Sequence, residues 1–174
     1  MRRSVWIPLR GYVCAAVTIL AVLAYAPEAW SRAPKPAGCQ RMTAPLAEAL
    51  FAEWNKALQQ NPEAVVRTYT LDAVLLPTFE NGPLIGRTEI RGYFDHFLEK
   101  HPVGRIDTRA IIPAGCNMGV VAGLYTFTVD KDKVRVDEPA RYTYVYVYKQ
   151  EGTRGRWLIA HHHSSAQPQK GGPK

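Results

Sequence analysis

The residues that could do chemistry are concentrated near the end of the chain. Three consecutive histidines, His161, His162 and His163, lie in an apolar stretch of strand character. Alternation along a strand places His161 and His163 on one face and His162 on the other. An imidazole with a pKa near neutrality suits a general acid or base, which makes His163 a candidate for that role. Two alternatives remain open: a metal site, which needs a further ligand, and histidines that only hydrogen-bond in a pocket wall or subunit interface.

Tyrosines dominate the segment before the histidines. Tyr142, Tyr144, Tyr146 and Tyr148 share one face of a predicted strand, because they alternate with other residues. Tyrosines stacked in this way are typical of an interface or a half-buried packing surface. A large aromatic face on a small domain needs to be covered, so we expect a homodimer or a larger homo-oligomer.

Helices are predicted in the first half of the folded region. Leu46, Leu50, Trp54 and Leu58 recur every four residues after the potential cap Thr43, which indicates an amphipathic helix. Two further helices are predicted from residue 61 to about residue 69 and from about residue 88 to residue 100.

The apolar pattern changes from helical to alternating after residue 105. It predicts strands at 106–112, 120–129, 142–149 and 157–164, after a short strand at 73–77. Connections of hairpin length make the later strands antiparallel. Helices followed by an antiparallel sheet predict an α+β fold in which the helices cover one face of the sheet.

The two ends of the chain differ in composition from the middle. Residues 1–33 contain a basic stretch and then an apolar run, as in a secretory signal peptide, and include the start of a linker. The run is shorter than the ~20 residues that span a bilayer, so we expect cleavage, a periplasmic or secreted protein and no stable membrane span. An uncleaved anchor is the alternative. Residues 34–42 form a linker, 43–167 the folded domain and 168–174 a disordered tail.

The distribution of charge excludes one class of function, nucleic-acid binding. The formal net charge is +7 in 174 residues, but the excess lies at the ends, and the folded region is nearly balanced. A balanced domain lacks the electrostatic footprint of a nucleic-acid-binding protein. Removal of the signal would leave two cysteines, Cys39 and Cys116, and an oxidising compartment favours a disulfide between them over two free thiols. We expect no cofactor and no metal ion.

Five segments resemble known proteins. Residues 50–55, 72–77 and 93–98 resemble the NTF2-like superfamily. Residues 141–146 and 155–165 resemble bacterial relatives of the calcium/calmodulin-dependent protein kinase II association domain, near the SgcJ/EcaC-like and SnoaL-like groups. The resemblance implies an NTF2-like cone with N-terminal helices packed on a curved, mainly antiparallel sheet, and self-association through that sheet. It does not imply a kinase, because the kinase loops are missing.

The resemblance also implies which positions correspond to the pocket of the eukaryotic domain. The eukaryotic domain holds a carboxylate with arginines and a histidine, and those places fall near Ile90, Tyr125, Tyr144 and Ser164 here, so the anion clamp is missing. Arg141 is a possible substitute.

The first functional hypothesis is an assembly module with a small ligand in the cone. The predicted ligand contacts are Trp54, Tyr93, Arg141 and His161.

The alternative is a small SnoaL-like lyase, isomerase or oxidoreductase-associated enzyme. It would use His163 as general base, with Tyr125 or Tyr144 polarising a carbonyl or hydroxyl group. A third hypothesis, a purely structural partner domain, predicts a filled cone without a cavity.

Overall fold

The computed structural model describes residues 38–151 and 154–168. The predicted signal or anchor, residues 34–37 of the linker and residues 169–174 of the tail lie outside the described residues. Among those described, no helix is long and apolar enough to cross a membrane. The elements in chain order are α1 (Ala44–Leu58), α2 (Pro62–Val66), β1 (Tyr69–Leu76), β2 (Leu84–Ile85), α3 (Gly86–Phe97), a 3₁₀ turn (Leu98–Lys100), β3 (Val103–Pro113), β4 (Met118–Lys131), β5 (Val134–Glu151) and β6 (Arg154–Ala166).

Local caps begin the first two helices. Thr43 Oγ1 accepts a hydrogen bond from the backbone N–H of Leu46 at 3.4 Å, and Asn61 Oδ1 accepts from that of Ala64 at 2.8 Å. These bonds satisfy backbone donors that have no partner within the helix. Both caps are polar residues directly before an apolar helical repeat, so the sequence indicates where α1 and α2 begin.

The sheet has the order β2-β1-β6-β5-β4-β3. All neighbours are antiparallel except β1 and β6, which run parallel. The strands β4 and β5 meet at a two-residue turn in which Asp132 and Lys133 have φ values of 51° and 66°. Positive φ at both positions is typical of the tight turns that join antiparallel strands. The α+β class predicted from the sequence is confirmed.

The three helices pack on one face of the sheet, which we call the inner face. Tyr142, Tyr144 and Tyr146 lie on it and are each 3% exposed or less. Trp54 of α1 covers Tyr144 with ring centroids 5.9 Å apart. The expectation that a second subunit covers the tyrosines is therefore wrong for these three, because residues of the same chain bury them.

The opposite face of the sheet, which we call the outer face, is only partly covered. Residues paired directly across neighbouring strands point to the same side, so the strand register identifies its members. Their side chains are half-buried or exposed. The outer face includes Val74, Val120, Ala122, Leu124, Arg141, Thr143, Val145, His161 and His163.

Candidate active or ligand-binding site

A cavity of about 180 Å³ lies between the helices and the inner face of the sheet. Its walls are mostly aromatic and aliphatic, as in sites that bind small apolar molecules. This cavity contradicts the hypothesis of a filled cone. The aromatic side chains of the wall are Trp54 from α1, Tyr93, Phe94 and Phe97 from α3, Tyr125 and Phe127 from β4, and Phe79 from the loop after β1.

A chain of polar groups crosses the apolar wall at Trp54. The indole Nε1–H of Trp54 donates to Tyr69 Oη at 3.2 Å. The same Tyr69 oxygen lies 2.9 Å from His162 Nδ1. All three side chains are 3% exposed or less. His162 lines the cavity, and its second ring nitrogen, Nε2, has no hydrogen-bond partner among the described residues.

Burial determines the charge of His162. Loss of solvent, with smaller contributions from His161 and His163, lowers the pKa of His162 from its ordinary value of 6.5 to about 3. The Tyr144 ring is stacked on the imidazole with centroids 4.2 Å apart. Burial also raises the pKa of Tyr69 and Tyr144. All three groups are therefore neutral at physiological pH, and His162 is too weak a base to accept a proton there.

A second set of hydrogen bonds lies in the wall formed by β4 and β6. Tyr125 Oη donates to Ser164 Oγ at 2.5 Å, and Ser164 Oγ lies 2.6 Å from Thr78 Oγ1. Burial raises the pKa of Tyr125, so its hydroxyl stays protonated. Ser164 and Thr78 both line the cavity. The cavity therefore has a second polar region, formed by neutral hydroxyl groups.

Charged side chains line the cavity only where it meets solvent. Asp130, Lys131 and Glu138 have side chains that are 40% exposed or more, and Lys100 is exposed as well. Lys100 Nζ lies 4.7 Å from the ring centroid of Phe79, which is itself 60% exposed. The buried part of the cavity is thus lined by neutral groups among the described residues.

The structure separates the residues predicted from the sequence into two groups. Trp54, Tyr93 and Tyr125 line the cavity, and Tyr144 lies behind His162. His161, His163 and Arg141 lie on the outer face instead. The roles predicted for these three residues require side chains inside the cavity, and the structure does not place them there.

A β-bulge in β6 explains the misplaced histidines. Ile159 pairs with Tyr146 and is buried on the inner face, whereas the next paired residue, His161, faces Val145 on the outer face. The residue between them, Ala160, is the extra residue of the bulge, and such an insertion changes which side chains point inward. Strict alternation from Ile159 would have put His161 and His163 inside.

Three polar residues of the cavity wall, Thr78, His162 and Ser164, are not among the ligand contacts predicted from the sequence. Two of them give a signal in the sequence: His162 is the middle histidine of three, and the resemblance places Ser164 near a pocket position, but strand periodicity alone could not orient either side chain. Among the described residues, no group of three His, Cys, Asp or Glu side chains is placed to hold a metal ion.

A disulfide joins Cys39 to Cys116, across 77 positions of sequence. It ties the segment before α1 to the turn between β3 and β4. The same segment is held by backbone pairing: Asn117 N–H donates to Gln40 O at 2.7 Å, and Gln40 N–H donates to Asn117 Oδ1 at 3.0 Å. Met42 is 2% exposed and packs near Gly119, so residues 39–42 of the predicted linker are part of the folded unit.

A mainly antiparallel six-stranded sheet with helices on one face and a cavity between them defines the NTF2-like, cystatin-like class of α+β proteins. An NTF2-like protein from Pseudomonas putida is 17% identical over 78% of this chain and 95% of that chain, with a TM-score of 0.59. A ketosteroid isomerase-like protein from Erwinia carotovora is 20% identical over 70% and 92%, with a TM-score of 0.53. At these identities the likeness is one of fold.

Sequence similarity defines the family more narrowly. Residues 47–168 match the calcium/calmodulin-dependent protein kinase II association domain, and the chain belongs to that family. A protein from Xanthomonas campestris that carries the same association-domain description is 44% identical, over 73% of this chain and 89% of that chain, with a TM-score of 0.67. No curated protein matches the chain. The resemblance in the sequence is thereby confirmed.

Proposed function

We propose that this protein is an exported module that binds a small, largely apolar molecule in the inner cavity and self-associates through the outer face. The single observation that carries the ligand-binding part is the aromatic cavity of about 180 Å³. An engineered apolar cavity of roughly 150 Å³ binds benzene, so this one has room for a molecule of one or two small rings.

Binding is favoured over catalysis by the charges around the cavity. The SnoaL-like alternative needs a general base in contact with the substrate, but His163 lies on the outer face. His162, which does line the cavity, has a pKa of about 3 and is a weak base. The acidic residues at the cavity, Asp130 and Glu138, are solvent-exposed at its rim. The groups in the buried part of the cavity are suited to holding a neutral molecule.

Self-association is supported by the outer face and by the family. One row across the outer face contains three half-buried valines and a histidine. It runs from Val74 on β1 through His161 on β6 and Val145 on β5 to Val120 on β4. A second copy of this chain placed against these side chains would remove apolar surface from water, which favours association. Membership of an association-domain family favours a second copy over an unrelated partner.

Export is supported by two features of the chain. The disulfide between Cys39 and Cys116 is of a kind that persists in oxidising compartments such as the periplasm. The basic and apolar order of the first residues is typical of a secretory signal. The predicted location is therefore the periplasm or the exterior.

The ligand-binding proposal is tested with indane, a neutral hydrocarbon of two fused rings, by isothermal titration calorimetry. Ala140 is 6% exposed and lines the cavity, so Ala140→Leu should fill part of the cavity and weaken indane binding at least about tenfold. The matched control is Ala52→Leu, the same change at an exposed position of α1, which should bind indane as the wild type does. Absence of indane binding to the wild type, or equal binding by the two variants, would contradict the proposal.

A further inference from the structure

The hydrogen bonds of Tyr69 determine which ring nitrogen of His162 carries the hydrogen. Tyr69 Oη accepts the indole hydrogen of Trp54, which occupies one of its lone pairs. Its own hydroxyl hydrogen then needs an acceptor, and His162 Nδ1, at 2.9 Å, is the acceptor present among the described residues. If Nδ1 carried the hydrogen instead, the buried hydroxyl hydrogen of Tyr69 would have no acceptor, which is costly. The neutral ring therefore carries its hydrogen on Nε2.

This assignment makes His162 Nε2–H a buried donor without a partner among the described residues. Nearly all buried polar groups in native proteins have a hydrogen-bond partner, and an exception calls for an explanation. The residue is 3% exposed and lines the cavity. An oxygen of a molecule in the cavity would complete the hydrogen bond.

The hydroxyl groups of Tyr125, Ser164 and Thr78 supply a second hydrogen-bond donor to the cavity. Tyr125 gives its hydrogen to Ser164, and Ser164 and Thr78 share one hydrogen between them. Ser164 and Thr78 carry two hydroxyl hydrogens, and the bond between them uses one. The other hydrogen remains available for donation, and both residues line the cavity. The two polar regions of the cavity thus both offer hydrogen to an acceptor.

The residues that line the cavity also determine which charge a ligand can carry. A carboxylate or phosphate in the buried part would lose its hydration without gaining a cation, because the two lysines that line the cavity, Lys100 and Lys131, are exposed at its rim and Arg141 lies on the outer face. A cation would meet donors rather than acceptors there. A neutral molecule with an acceptor oxygen meets neither cost.

We infer that the ligand is a neutral ring compound with a carbonyl or ether oxygen, and that His162 Nε2–H donates a hydrogen bond to that oxygen. This inference rests on the proposed function, since it names the class of molecule that occupies the same cavity. His162 then acts as a specificity residue, because it discriminates between molecules of equal shape with and without the acceptor.

The test compares indane with 1-indanone, which has nearly the same shape and one added carbonyl group. Wild-type protein should bind 1-indanone about tenfold more tightly than indane in calorimetry, since the carbonyl completes the hydrogen bond of a buried donor. The preference should disappear in His162→Phe, which keeps a ring but removes the donor. His163→Phe, the same change on the outer face, should keep it.

A spectroscopic measurement on the wild type covers the case in which His162→Phe does not fold. Nitrogen NMR of histidine-labelled protein should show His162 neutral and protonated at Nε2, with the Nε2–H resonance moving on addition of 1-indanone. Protonation at Nδ1, or equal affinity for the two probes, would overturn the inference and leave the proposed function standing. Failure of both probes to bind would overturn the proposed function and the inference with it.

Discussion

At the scale of single residues, the side chains around His162 determine its charge and its orientation. Trp54, Tyr69 and Tyr144 enclose its imidazole, and none of them carries charge at physiological pH. The ring is kept neutral by burial and is oriented by Tyr69. A histidine held in this way presents a fixed hydrogen-bond donor instead of a proton acceptor.

The neutral state of His162 has a measurable effect on stability. The unfolded chain binds a proton with an ordinary pKa of 6.5, whereas the folded chain binds it only near pH 3, so acid favours unfolding. The neighbouring His161 and His163 lower the pKa of His162 further, while Tyr69 and Tyr144 stay neutral. The free energy of unfolding should be constant above pH 6.5 for this group. Below it, the free energy should fall by about 1.4 kcal/mol per pH unit.

The measurement is urea unfolding between pH 7.5 and pH 5, with the slopes of wild type, His162→Phe and His96→Phe compared. His162→Phe should lose this part of the pH dependence, even if it is less stable overall because Tyr69 loses its acceptor. His96, which is 86% exposed, gives the matched control, and His96→Phe should keep the wild-type slope. Equal slopes in the two variants would show that His162 is not the group responsible.

At the scale of elements, irregularities in the sheet determine which side chains reach the cavity. The bulge at Ala160 turns His162 inward and leaves His161 and His163 outside. The register of β1 against β6 is also irregular, between Tyr69 and Val74. The resulting parallel alignment brings Tyr69 within hydrogen-bond distance of His162.

The disulfide between Cys39 and Cys116 is a second feature that acts at the scale of elements. Because it closes a loop of 77 positions, replacing Cys39 and Cys116 by alanine should lower the free energy of unfolding by about 4 kcal/mol in the chain-entropy description. Denaturant unfolding of oxidised wild type and the double variant gives this difference. Reductant should lower the stability of the wild type toward that of the variant and leave the variant unchanged. A variant as stable as the oxidised wild type would show that the backbone pairing at Asn117 suffices without the bond.

At the scale of the whole molecule, the two faces of the sheet have different surroundings. The inner face contacts the helices of its own chain and forms the cavity. The outer face combines half-buried valines with two histidines and is the surface proposed for a second copy. Ligand binding and self-association can therefore coexist.

The assembly proposal is tested by a charge placed in the middle of the outer face. Val145→Lys should convert the oligomer into monomers, because burying an unpaired ammonium group costs more than the lost apolar contact. Sedimentation velocity over a range of concentrations measures the change. Val134→Lys is the matched control, since Val134 is 60% exposed at the β4–β5 turn, and it should sediment as the wild type does. A monomeric wild type, or an oligomer that survives Val145→Lys, would refute this interface.

Several features of the protein follow from its sequence alone. The caps at Thr43 and Asn61, the four-residue apolar repeat of α1 and the alternation in the later strands are local patterns. Local patterns are set by the geometry of the helix and the strand, so they predict the element types and the α+β class. The family is indicated separately, by the resemblance of residues 141–146 and 155–165 to known proteins. The pairing of Cys39 with Cys116 is predicted because assignment of Cys14 to the signal peptide leaves two cysteines in an oxidising compartment.

The tertiary structure decided which residues enter the cavity and what covers the tyrosines. Alternation shows that His161 and His163 share a face, but not which face meets the helices, and one extra residue at Ala160 reverses the outcome. In the same way, a row of tyrosines needs cover, and only the packing of Trp54 onto Tyr144 shows that the cover comes from the same chain. Both outcomes depend on contacts between residues far apart in sequence, which the spacing of residues along the chain does not encode.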